Sequence, residues 1–350
     1  MDQRSNRKLD HIRNALVTGE YGANSFDDVS FVPNSLPNTA FADALLDTEV
    51  ASLRLSSPIM INAMTGGAGG TTPINQKLAI IARERNLAMA VGSQMAALRD
   101  PEVMDSYRIV RKENPHGILF ANVGAEATVD QAKAAVDMIE ANGLQIHLNV
   151  MQELLMPEGD RDFRGYLERI QAIRESLDVP VIVKEVGFGM AKESIEKLIQ
   201  IGIRAIDVGG KGGTNFAQVE NMRSDNPHSM FEDWGFTTVE SLLEADGVGH
   251  SGMSYIATGG VRHGLDVVKA ASLGASAVGV AGAMLRLVQN ESVEECLSTV
   301  DRWHLQIRVA MTALGMKSLA DAIQTPVIIT GKTAERARLR HGQLERLAQR

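Results

Sequence analysis

The 350 residues carry a formal net charge of −8, with 44% hydrophobic and 22% charged residues. These proportions are those of a folded globular protein, and the acidic balance argues against a general nucleic-acid-binding protein, which needs a basic surface. The amino terminus lacks the apolar core of a signal peptide and no apolar run approaches the roughly 20 residues of a membrane span, so we expect a cytoplasmic protein without a membrane partner.

One pattern recurs from Ser57 onward: a short apolar run, a turn rich in glycine, asparagine or serine, and an amphipathic stretch. Most of the apolar runs are continuous rather than alternating, as expected for parallel strands covered on both faces. They recur at roughly 25–35 residues, with one gap nearer 50 before the seventh run, a spacing typical of βα units. In chain order, the predicted strands are Pro58–Asn62, Leu87–Val91, Ile118–Asn122, Leu144–Val150, Pro180–Lys184, Ile203–Val208, Ser254–Thr258 and Ala277–Ala281.

The amphipathic stretches between these strands are predicted to be helices, and three of them precede a glycine expected to cap the helix, at Gly143, Gly202 and Gly274. Eight βα units predict an α/β protein with a (β/α)8 TIM barrel, a fold of about 250 residues. An open doubly wound sheet is the alternative, because sequence alone does not show closure. The predicted helices are Asn75–Asn86, Val129–Asn142, Asp162–Leu177, Lys192–Ile201 and Leu265–Leu273.

Both ends of the chain extend beyond the barrel. Residues 1–56 form an N-terminal extension with a basic segment, and Ser292–Gly315 and Lys332–Gln349 are predicted to be extra C-terminal helices. Because no Pro/Ser-rich linker interrupts the chain, we divide it only into the extension, 1–56, and a barrel with its C-terminal helices, 57–350. The segment Phe216–Gly252 is left unassigned.

The active site of such a barrel lies at the C-terminal ends of its strands, where polar residues interrupt the apolar pattern. Gly66–Gly70 follow strand one and allow a ligand close to the backbone, while Ser93 and Asn122 supply short polar side chains after strands two and three. His147 and Asn149 are two residues apart in strand four, so both are expected to face the barrel interior. A buried histidine satisfied by its neighbours is the other interpretation of His147.

Two charged residues stand out at the next strand ends. Glu153, just after strand four, is either a salt-bridge partner or the carboxylate of a Mg2+ site that also binds a phosphate. Lys184 ends strand five, and a lysine at a barrel rim needs an anion or a reactive group. A Schiff-base role and stabilisation of a reduced flavin both remain open for Lys184.

The last three turns are rich in small residues, at Gly209–Asn215, Gly259–Arg262 and Ala281–Ala283. The loops after strands seven and eight are the usual phosphate site of this fold, with N–H groups at a helix start as donors. We therefore expect a cofactor or substrate that carries a phosphate. No Walker sequence is present, and the glycines lack the helix-opening GxGxxG pattern of a Rossmann site.

In chain order, these motifs resemble the type 2 isopentenyl-diphosphate isomerases, a family of FMN-dependent enzymes that interconvert isopentenyl and dimethylallyl diphosphate. The resemblance covers nearly the whole chain, from Arg7-Lys8 to Ala281–Ala283. The most specific pieces are Asn62–Gly67, Gly92–Gln94, His147–Asn149, Gln152-Glu153, Val183–Glu185 and Gly212–Asn215.

The resemblance implies Mg2+ bound by Glu153, NADPH as the reductant of FMN, and a homo-oligomer (tetramer or octamer). It implies Gln152, His147 and Lys184 as catalytic residues. It implies an FMN site formed by Ala63, Met64, Thr65, Ser93, Asn122, Lys184, Thr214, Gly259, Gly260, Val261, Arg262, Ala281 and Gly282. It implies a substrate site formed by Arg7, Lys8, Ser93, Gln94, Met95, His147, Asn149 and Gln152.

The barrel rim offers no carboxylate pair for acid–base chemistry, and His147 is the nearby residue that titrates near neutrality. This shortage suggests that reduced FMN itself exchanges the protons of the isomerisation, with Lys184 stabilising its negative charge. The nearest alternative is an FMN-dependent 2-hydroxy-acid oxidase or dehydrogenase. Such an enzyme needs an arginine for the substrate carboxylate and a histidine base late in the barrel, and Arg262-His263 could supply both. Nucleotide dehydrogenases with a catalytic cysteine are disfavoured because the single cysteine, Cys296, falls in a predicted C-terminal helix. A non-catalytic flavin-binding protein is the third hypothesis.

Overall fold

The computed structural model describes residues 13–14, 16–18, 24–340 and 344–350. Eight parallel strands form a closed barrel in which each strand pairs with the next and the last pairs with the first. The eight strands predicted from apolar runs are confirmed, and the open-sheet alternative is wrong. The barrel strands are β1 (Ile59–Ile61), β2 (Ala88–Ala90), β3 (Leu119–Gly124), β4 (Gly143–Leu148), β5 (Val181–Glu185), β6 (Ala205–Asp207), β7 (Ser254–Thr258) and β8 (Ala275–Val280).

The strands are mainly apolar because alternate residues enter two different cores. One set, which includes Met60, Phe120 and Ile256, fills the barrel lumen, and the other packs beneath the surrounding helices. A hairpin of Thr48–Val50 and Leu53–Leu55 adds Val50 and Leu55 to the lumen core.

Helices surround the barrel and follow the predicted order. Gly202 and Gly274 have φ of +88° and +96° two residues beyond the ends of their helices, as predicted for caps, but Gly143 is the first residue of β4. The helix before β4 ends at Met138, and Glu140, with φ of +48°, takes the left-handed position instead. The helices are α1 (Thr72–Arg85), α2 (Met95–Arg99), α3 (Asp105–Glu113), α4 (Val129–Met138), α5 (Val150–Leu155), α6 (Tyr166–Ser176), α7 (Lys192–Gln200), α8 (Phe216–Asn221), α9 (Thr238–Asp246), α10 (Gly264–Ser272), α11 (Gly282–Asn290), α12 (Val293–Leu314), α13 (Gly331–Arg340) and α14 (Leu344–Ala348).

The segment left unassigned between β6 and β7 contains α8, a 3-10 turn at Ser229–Phe231 and the barrel helix α9. Helix α9 begins with a capping box: the Thr237 hydroxyl accepts from the Glu240 N–H, and the Glu240 carboxylate accepts from the Thr237 N–H at 2.7 Å. The Thr-x-x-Glu spacing of this box was a sequence signal for the helix.

Both C-terminal helical predictions are confirmed, the second as two helices, α13 and α14, separated by residues outside the described part of the chain. Helix α13 is attached to α9 by ion pairs of Arg336 with Glu240 at 3.1 Å and of Arg340 with Glu244 at 2.8 Å. The N-terminal strand Val29–Phe31 pairs with Val327–Ile329, so the two ends of the chain share a sheet. None of the described helices is both long and apolar enough to cross a membrane.

Asp246, at the end of α9, should make stability depend on acid pH. Burial raises its pKa, but hydrogen bonds from His250 and Arg346 outweigh burial and hold the pKa at about 2. Because the folded-state pKa lies below the ordinary 3.8, the ionised carboxylate stabilises the fold above that value and loses this contribution as the pH falls towards 2. We expect Asp246→Asn to lower the unfolding free energy at pH 7 by on the order of 2 kcal/mol.

Urea unfolding of the wild type and of Asp246→Asn between pH 7 and pH 3 measures this effect. The difference between the two proteins should shrink as the pH falls. A difference that stays constant over this range would show that the carboxylate charge contributes nothing to stability.

Candidate active site

A cavity of about 680 Å3 opens at the C-terminal ends of the barrel strands. Its volume is that of a pocket for a cofactor or a small ligand. All eight strands, or the turns that follow them, contribute to its wall: Asn62–Gly66, Gly92-Ser93, Asn122, His147, Lys184-Glu185, Gly209-Gly210, Thr258–Arg262 and Gly279–Ala283.

The structure brings together most of the residues that the sequence singled out. Arg7 and Lys8 lie outside the described residues, and Gln94 is the predicted site residue that the structure does not bring to this wall. The predicted residues that line the cavity are Ala63, Met64, Thr65, Ser93, Met95, Asn122, His147, Asn149, Gln152, Glu153, Lys184, Thr214, Gly259, Gly260, Val261, Arg262, Ala281 and Gly282.

Gln94 is completely buried behind the cavity, where it joins two parts of the scaffold. Its Nε2 donates to the Ala135 carbonyl at 2.9 Å, and its Oε1 accepts from the Asn122 N–H at 2.9 Å. A side chain held at both ends in this way supports β3 and α4, so the structure gives no support to a substrate contact by Gln94.

We expect Gln94→Leu to lower the unfolding free energy by about 2–4 kcal/mol, because it leaves a buried N–H and a buried carbonyl without this partner. Chemical denaturation of the variant measures this loss, and Gln171→Leu on the surface of α6 is the matched control. A raised KM for the substrate with unchanged stability would instead place Gln94 in contact with the substrate.

The turns after β6, β7 and β8 meet backbone against backbone. Gly259 has φ of +112°, and a Cβ there would lie 2.0 Å from the Gly210 carbonyl oxygen. A Cβ at Gly212 would lie 3.0 Å from the Gly260 Cα. Glycine is required at these positions because no side chain fits between the turns.

A phosphate group fits the end of the cavity where these turns meet α11. Gly282 begins this helix, whose first N–H groups lack partners within the helix and favour an anion. The Thr214 hydroxyl is buried and has no hydrogen-bond partner among the described residues, and a Cβ at Gly282 would lie 2.9 Å from it. Arg286, one helical turn beyond Gly282, also lines the cavity. This donor set matches the phosphate of FMN.

The turn after β1 is supported from behind by α3. The Gly67 N–H donates to the Ser106 hydroxyl at 2.8 Å, and the Tyr107 hydroxyl donates to the Ser93 carbonyl. A Cβ at Gly66 would lie 2.1 Å from the Tyr107 ring. Gly66 is therefore required for packing against Tyr107, which fixes the turns after β1 and β2 relative to each other.

His147 is the second-to-last residue of β4, and its Nδ1 lies 2.8 Å from the Asn122 Oδ1. Because an amide oxygen only accepts, Nδ1 carries the proton in this arrangement, and Nε2 is the basic nitrogen of the neutral ring. Asn149 lies beyond the strand, as the residue that precedes α5. The prediction that Asn149 is a strand residue is wrong, although it lines the cavity with His147.

The first turn of α5 places Gln152 and Glu153 at the cavity wall. Glu153 accepts one hydrogen bond on each oxygen, from Asn149 Nδ2 at 2.8 Å and from the Asp160 N–H at 2.9 Å, and Gln152 Nε2 donates to the buried Glu220 at 2.9 Å. No cluster of three or more acidic, histidine or cysteine side chains suited to a metal is found within the described ranges. A Mg2+ ion at Glu153 would therefore take most of its ligands from water and phosphate oxygens.

The end of β5 carries two titratable groups, the buried Lys184 and the half-buried Glu185. Burial lowers the pKa of Lys184, while the carboxylates of Asp207 and Glu185 raise it. Burial also raises the pKa of Glu185 to about 7, against the effect of hydrogen bonds from the N–H groups of Phe188, Gly187 and Val186. No role of its own was predicted for Glu185, because its pKa depends on burial, which no motif reveals.

Arg99 and Arg286 also line the cavity and were missed. Each lies on the first helix after a strand-end turn, four residues after a residue that was predicted, Met95 or Gly282. Positions i and i+4 share a helix face, so this spacing was a signal for both arginines.

Comparison with known proteins agrees with this geometry. Residues 127–329 match the family model described as FMN-dependent dehydrogenase. A flavocytochrome b2 variant with sulfite bound has a TM-score of 0.68 at 15% identity, covering 89% of this chain and 81% of that one. A mandelate oxidase variant with (S)-mandelic acid has a TM-score of 0.62 at 17% identity, covering 92% of this chain and 94% of that one. At such identities these two structures establish the fold alone.

Curated relatives are much more similar. The isopentenyl-diphosphate delta-isomerase of Bacillus cytotoxicus is 54% identical over 94% of this chain and 95% of its own length. Its counterpart from a Geobacillus species is 52% identical over the same shares of the two chains. The chain belongs to the isopentenyl-diphosphate delta-isomerase family, which confirms the resemblance seen in the motifs.

Proposed function

We propose that this chain is a type 2 isopentenyl-diphosphate delta-isomerase of isoprenoid biosynthesis, which acts with reduced FMN and Mg2+. The observation that carries the proposal is that one cavity joins a glycine-rich end, at the turns after β6, β7 and β8, to a polar cluster on β4 and α5. The first end suits the cofactor, and the cluster of His147, Gln152 and Glu153 suits a diphosphate with its metal. The names of the close relatives support the same reaction.

When bound, reduced FMN supplies the groups that give a proton to C4 of the alkene and take one from C2. The turns at Gly259–Arg262 and Ala281-Gly282 hold its phosphate, and the Lys184 ammonium compensates negative charge on its ring. Glu153 binds Mg2+, which neutralises the substrate diphosphate. His147 is oriented by Asn122, and Gln152 by Glu220, so that both side chains are fixed beside the substrate.

Other parts of the proposal rest on the family resemblance. Arg7 and Lys8, in the N-terminal extension 1–56, bind the diphosphate, and NADPH reduces the flavin. The protein is a cytoplasmic homo-oligomer, a tetramer or an octamer.

The 2-hydroxy-acid oxidase or dehydrogenase alternative needs a histidine base after strand seven. His263 precedes α10 as its N-cap and accepts from the Asp266 N–H at 3.4 Å. Within residues 24–340, Arg262 lines the cavity and His263 does not. The structure therefore favours the isomerase over this alternative.

Counting product molecules per NADPH tests the proposed function. We expect many molecules of dimethylallyl diphosphate per NADPH consumed, because the reaction involves no net redox change. Consumption of one NADPH per product molecule would indicate an oxidoreductase. A flavin analogue that cannot exchange protons at N5 and N1 should abolish turnover. Full turnover with this analogue would indicate that protein side chains transfer the protons.

A further inference from the structure

A buried hydrogen-bond network crosses the barrel lumen next to the cavity. Asp207, at the end of β6, is completely buried and accepts three hydrogen bonds. The donors are Asn62 Nδ2 at 2.6 Å, the Thr258 hydroxyl at 2.9 Å and the Gly209 N–H at 3.1 Å. The chemistry of the proposed site assigns no role to this carboxylate.

The direction of each hydrogen bond in the network is fixed. Asn62 Oδ1 accepts from the Ala63 N–H at 2.9 Å, and a backbone N–H only donates, so Nδ2 of the same amide is the atom facing Asp207. The same Nδ2 donates to the Thr258 hydroxyl at 2.8 Å, which leaves the hydroxyl proton for Asp207. Asp207 is thus the acceptor in all three bonds, an arrangement that fits an ionised carboxylate.

Lys184, on the neighbouring strand, is a cation whose charged form the Asp207 carboxylate stabilises. Lys184 on β5 and Asp207 on β6 are register partners in the parallel ladder, so their side chains lie on the same side of the sheet. Lys184 is also buried, and its Nζ donates to the Glu185 carbonyl at 2.8 Å. A buried ammonium and a buried carboxylate are each costly alone, and each lowers the cost of the other.

We propose that Asp207 is a positioning residue that keeps the Lys184 ammonium charged at the cavity wall, and so sets how strongly the site stabilises an anionic reduced flavin. The inference rests on the proposed function. Lys184 lines the cavity, whereas Asp207 is not part of its wall within residues 24–340, so Asp207 acts through Lys184. Glu185 is a weaker counter-charge, because its Oε2 already accepts from three backbone N–H groups.

The affinities for oxidised and reduced FMN, measured anaerobically with dithionite as reductant, test the proposal in Asp207→Asn. We expect the preference for reduced over oxidised FMN to fall by about tenfold at pH 8, because Lys184 without its counter-charge loses its proton more readily. The loss should be smaller at pH 6. If Lys184 stayed charged on its own, removing a negative charge would strengthen binding of the anionic flavin, so an increased or unchanged preference overturns the proposal.

Two further variants separate this role from a merely structural one. Glu244→Gln removes a buried carboxylate that is paired with Arg340 on the outer face of α9, and it should leave the preference for reduced FMN unchanged. In a Lys184→Met background, Asp207→Asn should change the preference no further. If Asp207→Asn alone fails to fold while the double variant folds, an uncompensated Lys184 is the cause, as proposed. A double variant as damaged as the single one contradicts it.

FMN retention and isomerase activity of the wild type distinguish a failure of this inference from a failure of the proposed function. A wild-type protein that retains no FMN contradicts the proposed function. A wild type that retains FMN and isomerises its substrate, beside an Asp207→Asn variant with unchanged flavin preference, contradicts only the inference.

Discussion

Gly259→Ala is expected to weaken FMN binding by roughly 100-fold, equivalent to about 3 kcal/mol. The Cβ of this variant would lie 2.0 Å from the Gly210 carbonyl oxygen and 2.8 Å from the Thr238 hydroxyl. Because the nearest of these atoms is backbone, the turns after β6 and β7 must move apart, and the site for the phosphate opens. Titration of the apoprotein with FMN, followed by flavin fluorescence, measures the change.

Gly249→Ala is a closely matched control. Gly249 has φ of +111°, nearly the same as the +112° of Gly259, but a Cβ there meets nothing within 4 Å. Placing alanine in the left-handed region should therefore destabilise both variants by a similar amount. Only Gly259→Ala also crowds the neighbouring turn. Equal FMN affinities in the two variants would show that the close approach of the turns does not shape the cofactor site.

Glu153→Gln is expected to lower kcat/KM for isopentenyl diphosphate by about 100-fold and to abolish its activation by Mg2+, because a neutral amide is a poor ligand for this hard cation. In the variant the amide oxygen still accepts from one of the two N–H donors, Asn149 or Asp160, whereas the new NH2 group cannot accept from the other. Initial rates over a range of Mg2+ concentrations, with FMN kept saturating and reduced, measure this effect.

Glu175→Gln provides the control for Glu153→Gln. Glu175 also accepts a side-chain amide N–H, from Gln171 at 2.9 Å, but lies on the exposed face of α6. The Glu175→Gln variant should leave the Mg2+ dependence of the rate unchanged. Undiminished Mg2+ activation in Glu153→Gln would exclude Glu153 as the metal ligand. Other carboxylates at the cavity rim would then be the candidate ligands.

The barrel was predictable because its strands are buried on both faces. Continuous runs such as Pro180–Lys184 reflect one set of side chains in the lumen and another beneath the helices, the pattern of a parallel sheet covered on both faces. The helix α9 was missed although its capping box at Thr237 and Glu240 is visible in the sequence, because a long irregular segment precedes it. The wrong cap at Gly143 arose because Glu140 ends that helix in the left-handed conformation, which sequence rarely predicts.

The candidate site was predictable where a residue lies near the carboxyl end of a strand, as Asn122 and Lys184 do, or shortly after it, as Ser93 does. It was less predictable where the chain turns, because the direction of a side chain there depends on the backbone rather than on spacing. Gln94 follows Ser93 yet points away from the cavity to Ala135. No role was predicted for Asp207, because its importance depends on burial and on its hydrogen-bond partners, and a sequence motif reveals neither.

Product analysis after anaerobic incubation with FMN, NADPH, Mg2+ and isopentenyl diphosphate shows whether this chain moves the double bond of isopentenyl diphosphate. We expect dimethylallyl diphosphate to accumulate to equilibrium with the substrate, and omission of FMN to prevent this. If no dimethylallyl diphosphate forms from a preparation with FMN bound and reduced, the assignment is contradicted.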